Sequence, residues 1–265
     1  MVVWQVLFFA LPLAFLVALT FWVVKNYRVE PAFEMVNWIK MYGRGYFWDT
    51  YFRTIWLAGL TTAITSVLAF PCSYAIAFKT SESFRRLAVL LLITPFFTSY
   101  LVRVYSWQVF LSDEGIINAA LGMLGIGPFL MLNTPFGTIV GYMTLTMPLV
   151  ILLQMFSLVF IDRTLVEAAH NLRCGPLKTV FLVVIPSARV GLVIAALFCF
   201  ILSFGDFVSP LYLGGSTPPT LSILITDTTK AGQQWPRAAV IAVTMVATLL
   251  AVAFSAIWFA YRKRA

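Results

Sequence analysis

Residues 136–160 read FGTIVGYMTLTMPLVILLQMFSLVF, a run without a single charged side chain. An α-helix needs roughly 20 apolar residues to cross about 30 Å of hydrocarbon, and this run is long enough. Working outward from it, comparable stretches lie at Trp4–Val24, Thr54–Phe78, Leu87–Val109, Ala188–Phe207 and Ala238–Ala260. The sequence therefore predicts an all-α, polytopic membrane protein with six transmembrane helices in a single domain over 1–265.

Composition agrees, with 61% hydrophobic and only 11% charged residues, where soluble domains carry about a quarter charged. The net charge of +8 does not indicate a nucleic-acid partner, because the basic residues lie between apolar runs instead of gathering on one folded face. Cys72 and Cys199 fall inside apolar runs and Cys174 in a loop, a spacing that suggests neither a disulfide framework nor a metal site. The apolar N-terminus lacks a basic leader and a small-residue cleavage site before Lys25, so it reads as the first helix and not as a signal peptide.

Basic residues in short loops favour the cytoplasmic side. With both termini inside, that side holds Lys79, Arg85, Arg86, Arg163, Arg173, Lys178, Arg189, Arg262, Lys263 and Arg264 in three short segments. The outside holds Lys25, Arg28, Lys40, Arg44, Arg53, Lys230 and Arg237 over much more chain. Both termini are thus expected in the cytoplasm, with the Arg262-Lys263-Arg264 end as a topology anchor beside anionic headgroups.

Between the first two runs, Phe33, Trp38, Tyr46, Phe47 and Trp48 alternate with charges, as expected of an amphipathic segment at the outer interface. Gly115, Gly122, Gly125, Gly127 and Pro128 break residues 113–133 into turns or half-helices, and Gly214, Gly215, Pro218 and Pro219 do the same before the sixth run. Interrupted segments of this kind also mark substrate sites in ion-coupled secondary transporters, which keeps that class as an alternative, although these breaks lie between runs and not within them.

The longest cytoplasmic loop, 161–186, reads Asp162-Arg-Thr-Leu-Val-Glu-Ala-Ala-His-Asn-Leu-Arg-Cys-Gly-Pro and continues to Val183-Val184-Ile185-Pro186. Leu165, Ala168, Ala169 and Leu172 recur at helical spacing, Asp162 or Thr164 is placed to cap the start, and Gly175-Pro176 supplies a stop. A short amphipathic helix is expected, its small Ala168 and Ala169 admitting another surface and Glu167 and Arg173 making polar contacts at the rim.

Glu167-Ala168-Ala169, a turn, then Val183-Val184-Ile185-Pro186 resembles the EAA loop of the binding-protein-dependent ABC permeases. Two further stretches, TPFFTSYLVRVYSW at 94–107 and FGDFVSP at 204–210 followed by Leu213-Gly214-Gly215, resemble the spermidine/putrescine branch of that family, the first of its two permease subunits in particular. The resemblance covers roughly Thr50 to the end and implies a type I ABC importer permease fold, with a core of about 50–260. It implies that the loop's short helix seats in a cleft of an ATPase through Glu167, Ala168, Ala169, His170, Arg173, Gly175 and Pro186. The family's usual glycine, four residues after the second alanine, is Arg173 here; with Gly175 following, a turn shifted by two positions is expected.

The resemblance further implies a second permease subunit, two cytoplasmic ATPase subunits and a periplasmic substrate-binding protein. The chain has no phosphate-binding loop of the form G-x-x-x-x-G-K-[ST], so ATP and Mg are expected to be used by the ATPase partners, with no cofactor bound here and no catalysis. Arg103 is the one charge well inside a run, and such a residue is expected to face the bundle interior, paired with Asp206 or Asp113. Asp206, Asp113 and Glu114, with Tyr105, Trp107 and Tyr212, are expected near the outer mouth, where carboxylates and aromatic faces suit polyammonium cargo. Solvated loop charges and an interfacial aromatic belt account for the same residues equally well. His170, the single histidine, is expected to touch the ATPase or solvent. Other amines, opines or small anions remain open as cargo, and a secondary transporter or a membrane scaffold as class.

Overall fold

The structure is a computed structural model that describes residues 2–262; Lys263 and Arg264 of the expected basic anchor lie outside the described residues. The chain forms two compact units, Met1–Trp56 with Gly215–Ala251, and Leu57–Gly214 with Val252–Ala265.

In the first unit an apolar helix, Val3–Leu19, is only about 25 Å long at ~1.5 Å per residue, short of a full crossing. Its last part is α1, Leu11–Leu19. The expected interfacial segment then contains a hairpin, β1 (Val23–Lys25) antiparallel to β2 (Arg28–Glu30), with Val24 opposite Val29. Its two-residue turn places Asn26 and Tyr27 at φ 50° and 62°, the geometry that matches the twist of paired strands. α2 (Val36–Tyr42) follows, and the Asn37 side-chain amide donates to the carbonyls of Thr20 (2.9 Å) and Trp22 (2.7 Å), supplying donors that the end of α1 lacks. Phe47 is fully buried among Tyr42, Trp48 and Tyr51, so it is a core residue and not an interfacial anchor.

α3 (Gly45–Tyr74) runs on in wider turns to Lys79, making a span that begins at Gly45, well before the expected Thr54. In the second unit, α4 (Glu82–Ile93) is capped by Ser81, whose Oγ accepts from the Phe84 amide. The expected straight crossing 87–109 is not there. A 3₁₀ turn at Thr94–Phe97, where Pro95 cannot donate a backbone bond, separates α4 from α5 (Tyr100–Leu111), and the two arms meet at 91°. The glycine-broken stretch yields the expected short helix, α6 (Ile116–Gly122), tied down by Asn118, which exchanges two hydrogen bonds of 3.0 Å with the Phe129 backbone.

α7 (Pro135–Val159) is the fourth run as expected, begun by Thr134, whose Oγ1 accepts from the Gly137 amide. α8 (Arg163–Asn171) and α9 (Pro176–Thr179) lie in the long loop, and the segment Pro176–Ser187 meets α10 (Arg189–Gly205) at 77°. α11 (Val208–Tyr212) follows. The first unit resumes with α12 (Leu221–Lys230) and the greater part of α13 (Trp235–Tyr261), whose residues from Val252 onward belong to the second unit. Among the described residues three helices are long and apolar enough to cross a membrane, or five spans if each bent pair counts as one, and Val3–Leu19 is a further, shorter apolar helix.

The second unit's core is centred on α7, where Val150, Leu152, Met155 and Leu158 pack with Ala195 and Cys199 of α10 and Val184. Close approach is built into glycine. A Cβ at Gly191 would lie 2.3 Å from Ser157 Oγ, and one at Gly141 would lie 2.5 Å from Ser209 Oγ, so α7 meets α10 and α11 where those side chains are absent.

Candidate coupling loop and pathway

Asp162 starts α8 as expected: its Oδ1 accepts from the Thr164 amide at 2.9 Å, filling one of the donors that a helix start leaves open. That bond holds the Asp162 carboxyl below the usual carboxylate range. The apolar positions divide between two surfaces. Ala169 is buried and Val166 packs on the unit's core, while Leu165, Ala168 and Leu172 stay exposed, Leu172 at 84%. Residues i, i+3 and i+7 share one helix face, so α8 is anchored by one side and presents an apolar stripe on another. Glu167 and Arg173 are exposed beside it. His170 belongs to α8, and its side chain lies outside what the structure describes.

The turn after α8 is not shifted. Arg173 itself takes the left-handed conformation, φ 56°, and the Cys174 amide donates back to the Ala169 carbonyl at 2.9 Å. That is the 6→1 bond of a Schellman cap with Arg173 at the position where glycine is favoured. Gly175 has an ordinary φ of −65° and no atom within 4 Å of a Cβ built on it, so its lack of a side chain is not needed for the turn. The geometry survives the loss of glycine because the cap's hydrogen bond offsets a left-handed cost of roughly 1–2 kcal/mol.

A groove of about 710 Å³ lies under this turn, between Leu172, Arg173, Leu177 and Leu182. Beyond it Val180–Val184 forms a wide π turn just before Pro186, which has no amide hydrogen to give to Leu182. The 77° elbow follows, braced by Ser157 Oγ, which donates to the Ala188 carbonyl at 3.1 Å. Arg189, at the first turn of α10, stacks on Phe259 at 4.4 Å and donates to the Phe259 and Arg262 carbonyls at the end of α13.

Arg103 faces the interior, though it pairs with neither expected carboxylate. Its Nη1 donates to the Thr144 carbonyl at 3.1 Å and its guanidinium lies 5.6 Å from the Tyr100 ring centroid. Pro148 explains the choice. Four residues after Thr144 in α7, it cannot supply the amide hydrogen that an uninterrupted helix would give to that carbonyl. Arg103 supplies the donor from α5 to an oxygen that would otherwise lack its helical partner.

Asp206 is taken by other groups. It accepts from the Val208 and Ser209 amides at 2.9 and 3.2 Å, holding the start of α11, and from the Tyr100 hydroxyl at 2.6 Å, with Ser209 Oγ touching both side chains. A knot of α5 and α11 results. The Tyr105 and Tyr212 rings lie tilted at 49° with centroids 4.9 Å apart, and Trp107 packs beside Val104, Leu111 and Leu213. Asp113 and Glu114 are exposed in the turn after α5, and no hydrogen bond or ion pair joins either to Asp206 among the described residues. The structure therefore joins Tyr105 to Tyr212 and Asp206 to Tyr100 through α5 and α11, and leaves out the other two carboxylates. Sequence reasoning missed Tyr100, Ser209 and Thr144; only Pro148 announced one of them, since a proline inside an apolar run strands the carbonyl four residues before it.

A family model described as the binding-protein-dependent transport system inner membrane component matches residues 67–264. The spermidine/putrescine transport system permease protein PotB of Escherichia coli K12 is 27% identical over 245 residues, covering 91% of this chain and 88% of the relative. The molybdenum transport system permease protein ModB of Azotobacter vinelandii is 29% identical over 183 residues, covering 67% and 79%. A crystal structure of a bacterial ABC transporter involved in the import of the acidic polysaccharide alginate superposes with a TM-score of 0.79 at 16% identity, over 100% of this chain and 93% of that one. An inward-facing structure of the MetNI methionine ABC transporter does so at 0.58 and 15% identity, over 83% of this chain and 100% of that one. The fold is that of a type I ABC importer permease.

Proposed function

The chain belongs to the binding-protein-dependent transport system inner membrane components, and we propose that it passes a polyamine of the spermidine or putrescine kind across the inner membrane by alternating access. As a multi-pass permease subunit of an ABC importer it is not catalytic; hydrolysis of ATP with Mg falls to partner ATPases. In the proposed assembly it pairs with a second permease, two ATPases and a periplasmic binding protein, with both termini in the cytoplasm.

The observation that carries the reading is the exposed stripe Leu165, Ala168 and Leu172 on a helix whose other side is buried in its own unit. A surface so built moves with the membrane helices when a partner seated on it moves. Glu167 and Arg173 flank the stripe as polar rim, Ala169 is the buried anchor, and Gly175 and Pro186 lead into the elbow; His170 is the remaining docking candidate. For cargo, the likeness to PotB over most of the chain is supported by chemistry. Asp206 and the Tyr105–Tyr212 pair offer an anionic group and aromatic faces.

The test is ATP hydrolysis by the reconstituted importer with its binding protein, with and without spermidine, comparing wild type with Glu167→Lys. Spermidine-stimulated hydrolysis lost in the variant supports both halves of the proposal. Stimulation that persists in the variant removes Glu167 from docking, and no response to any amine removes the cargo.

A further inference from the structure

Inside the first unit, α2, the start of α3, α12 and the start of α13 enclose a cavity of about 220 Å³. Its wall joins two guanidinium groups, Arg44 and Arg237, to one carboxylate, Asp227, over apolar Met41, Phe47 and Leu224. Neither arginine has an ion-pair partner among the described residues, although Asp227 lines the same space. The Arg237 Nε is buried without a hydrogen-bond partner among them. A guanidinium carries five donors and cannot be neutralised by losing its proton, so a buried unpaired Nε beside a second arginine is costly. Arg237 also sits in the first turn of α13, whose open amides add positive potential. These features call for an anion.

The surroundings say which. Tyr42, Phe47, Trp48, Tyr51 and Phe52 form a continuous aromatic cluster beside the cavity, with successive ring centroids 5.3 to 6.3 Å apart. Phe52 and Trp56 turn outward at 63% and 66% exposure. Aromatic residues of this kind mark the depth at which hydrocarbon gives way to headgroups. Asp227 would repel a plain anion, while the ammonium of a zwitterion would be drawn to it. We propose that this cavity is a headgroup site for a zwitterionic phospholipid, with the phosphate held by Arg44 and Arg237 and the ammonium by Asp227. The site shares no residue with the coupling loop or the cargo pathway, and it does not depend on which cargo is carried.

The intact importer, solubilised in detergent and examined by native mass spectrometry, is offered phosphatidylethanolamine, phosphatidylglycerol or inorganic phosphate. Wild type is expected to retain phosphatidylethanolamine best. Arg44→Gln and Arg237→Gln are each expected to weaken retention roughly tenfold, the worth of one charge-assisted hydrogen bond, and Asp227→Asn to abolish the preference over phosphatidylglycerol. Arg44 is exposed, so its variant carries little risk to folding, and Arg237→Lys is expected to keep most of the binding. Equal retention by wild type and both glutamine variants overturns the proposal. So does binding of inorganic phosphate with no lipid preference, or a loss of affinity for the binding protein with lipid retention unchanged, which would assign the cavity to a partner's carboxylate.

Discussion

Arg103 and Pro148 never touch the same proton, yet Arg103 should be dispensable only when Pro148 is changed. Arg103→Leu removes the donor to the Thr144 carbonyl and leaves that part-buried oxygen unmatched. Leaving a buried acceptor unsatisfied costs about 1–3 kcal/mol, and interhelical hydrogen bonds inside membranes measure about 0.6 kcal/mol on average and about 1.7 at most. The expected loss is therefore about 1–2 kcal/mol. With Pro148→Ala, the new amide at 148 can close the ordinary helical bond to Thr144, so Arg103→Leu on that background should cost little. The coupling between the two sites is predicted at roughly 1–1.5 kcal/mol, a factor of about 5 to 13 in the unfolding equilibrium. The assay is reversible unfolding of the purified permease in mixed micelles, over the four proteins of the cycle. A coupling below about 0.3 kcal/mol, with Arg103→Leu equally costly on both backgrounds, would refute the assignment and return Arg103 to the search for a charged partner.

Arg173→Gly should stabilise the end of α8 by roughly 0.5–1 kcal/mol, by removing the left-handed penalty, whereas Gly175→Ala should be silent; hydrogen exchange at the Cys174 amide reads both. Gly141→Ala drives a methyl into the Ser209 side chain and should cost about 1–3 kcal/mol, visible as a lower melting temperature and slower transport. Tyr100→Phe removes one donor from Asp206 and should destabilise by roughly 1–3 kcal/mol, measured by the same unfolding assay. The lowered Asp162 pKa makes the α8 cap an ionised-state contribution, present above the ordinary carboxylate range and lost as pH falls through the folded value. Thr164 amide protection should accordingly separate wild type from Asp162→Asn at neutral pH and cease to do so well below about pH 4.

Helix content, the capped α8 and the family were legible in the sequence because each rests on a local pattern: an apolar run, an Asp at a helix start, a Glu-Ala-Ala triplet. The breaks were harder. Thr94-Pro95 reads equally well as a kink inside a span or as its end, and only the packing of α5 decides for a 91° bend. Partner choice was the least legible. Asp206 and Arg103 are the obvious intramembrane pair by charge, but the carboxylate is met by two amides and a phenol, and one nitrogen of the guanidinium finds a carbonyl that proline has stranded. Such matches depend on which backbone groups lack a bond, and those are set by the tertiary fold. The turn at Arg173 shows the same limit, since composition puts glycine at 175 while the helix's own hydrogen bonding places the left-handed residue at 173.

The elbow between Pro176–Ser187 and α10 has a mechanical consequence. Two arms meeting near a right angle do not carry a push straight through; a displacement along the first becomes a sideways swing of the second. Pinned at its corner by Ser157 and clasped to the end of α13 by Arg189, this joint would act as a bell crank. Whatever shoves the cytoplasmic helix along its length would rotate the pathway helix about its foot, so the stroke is set by the lever's geometry and not by compression of a rod.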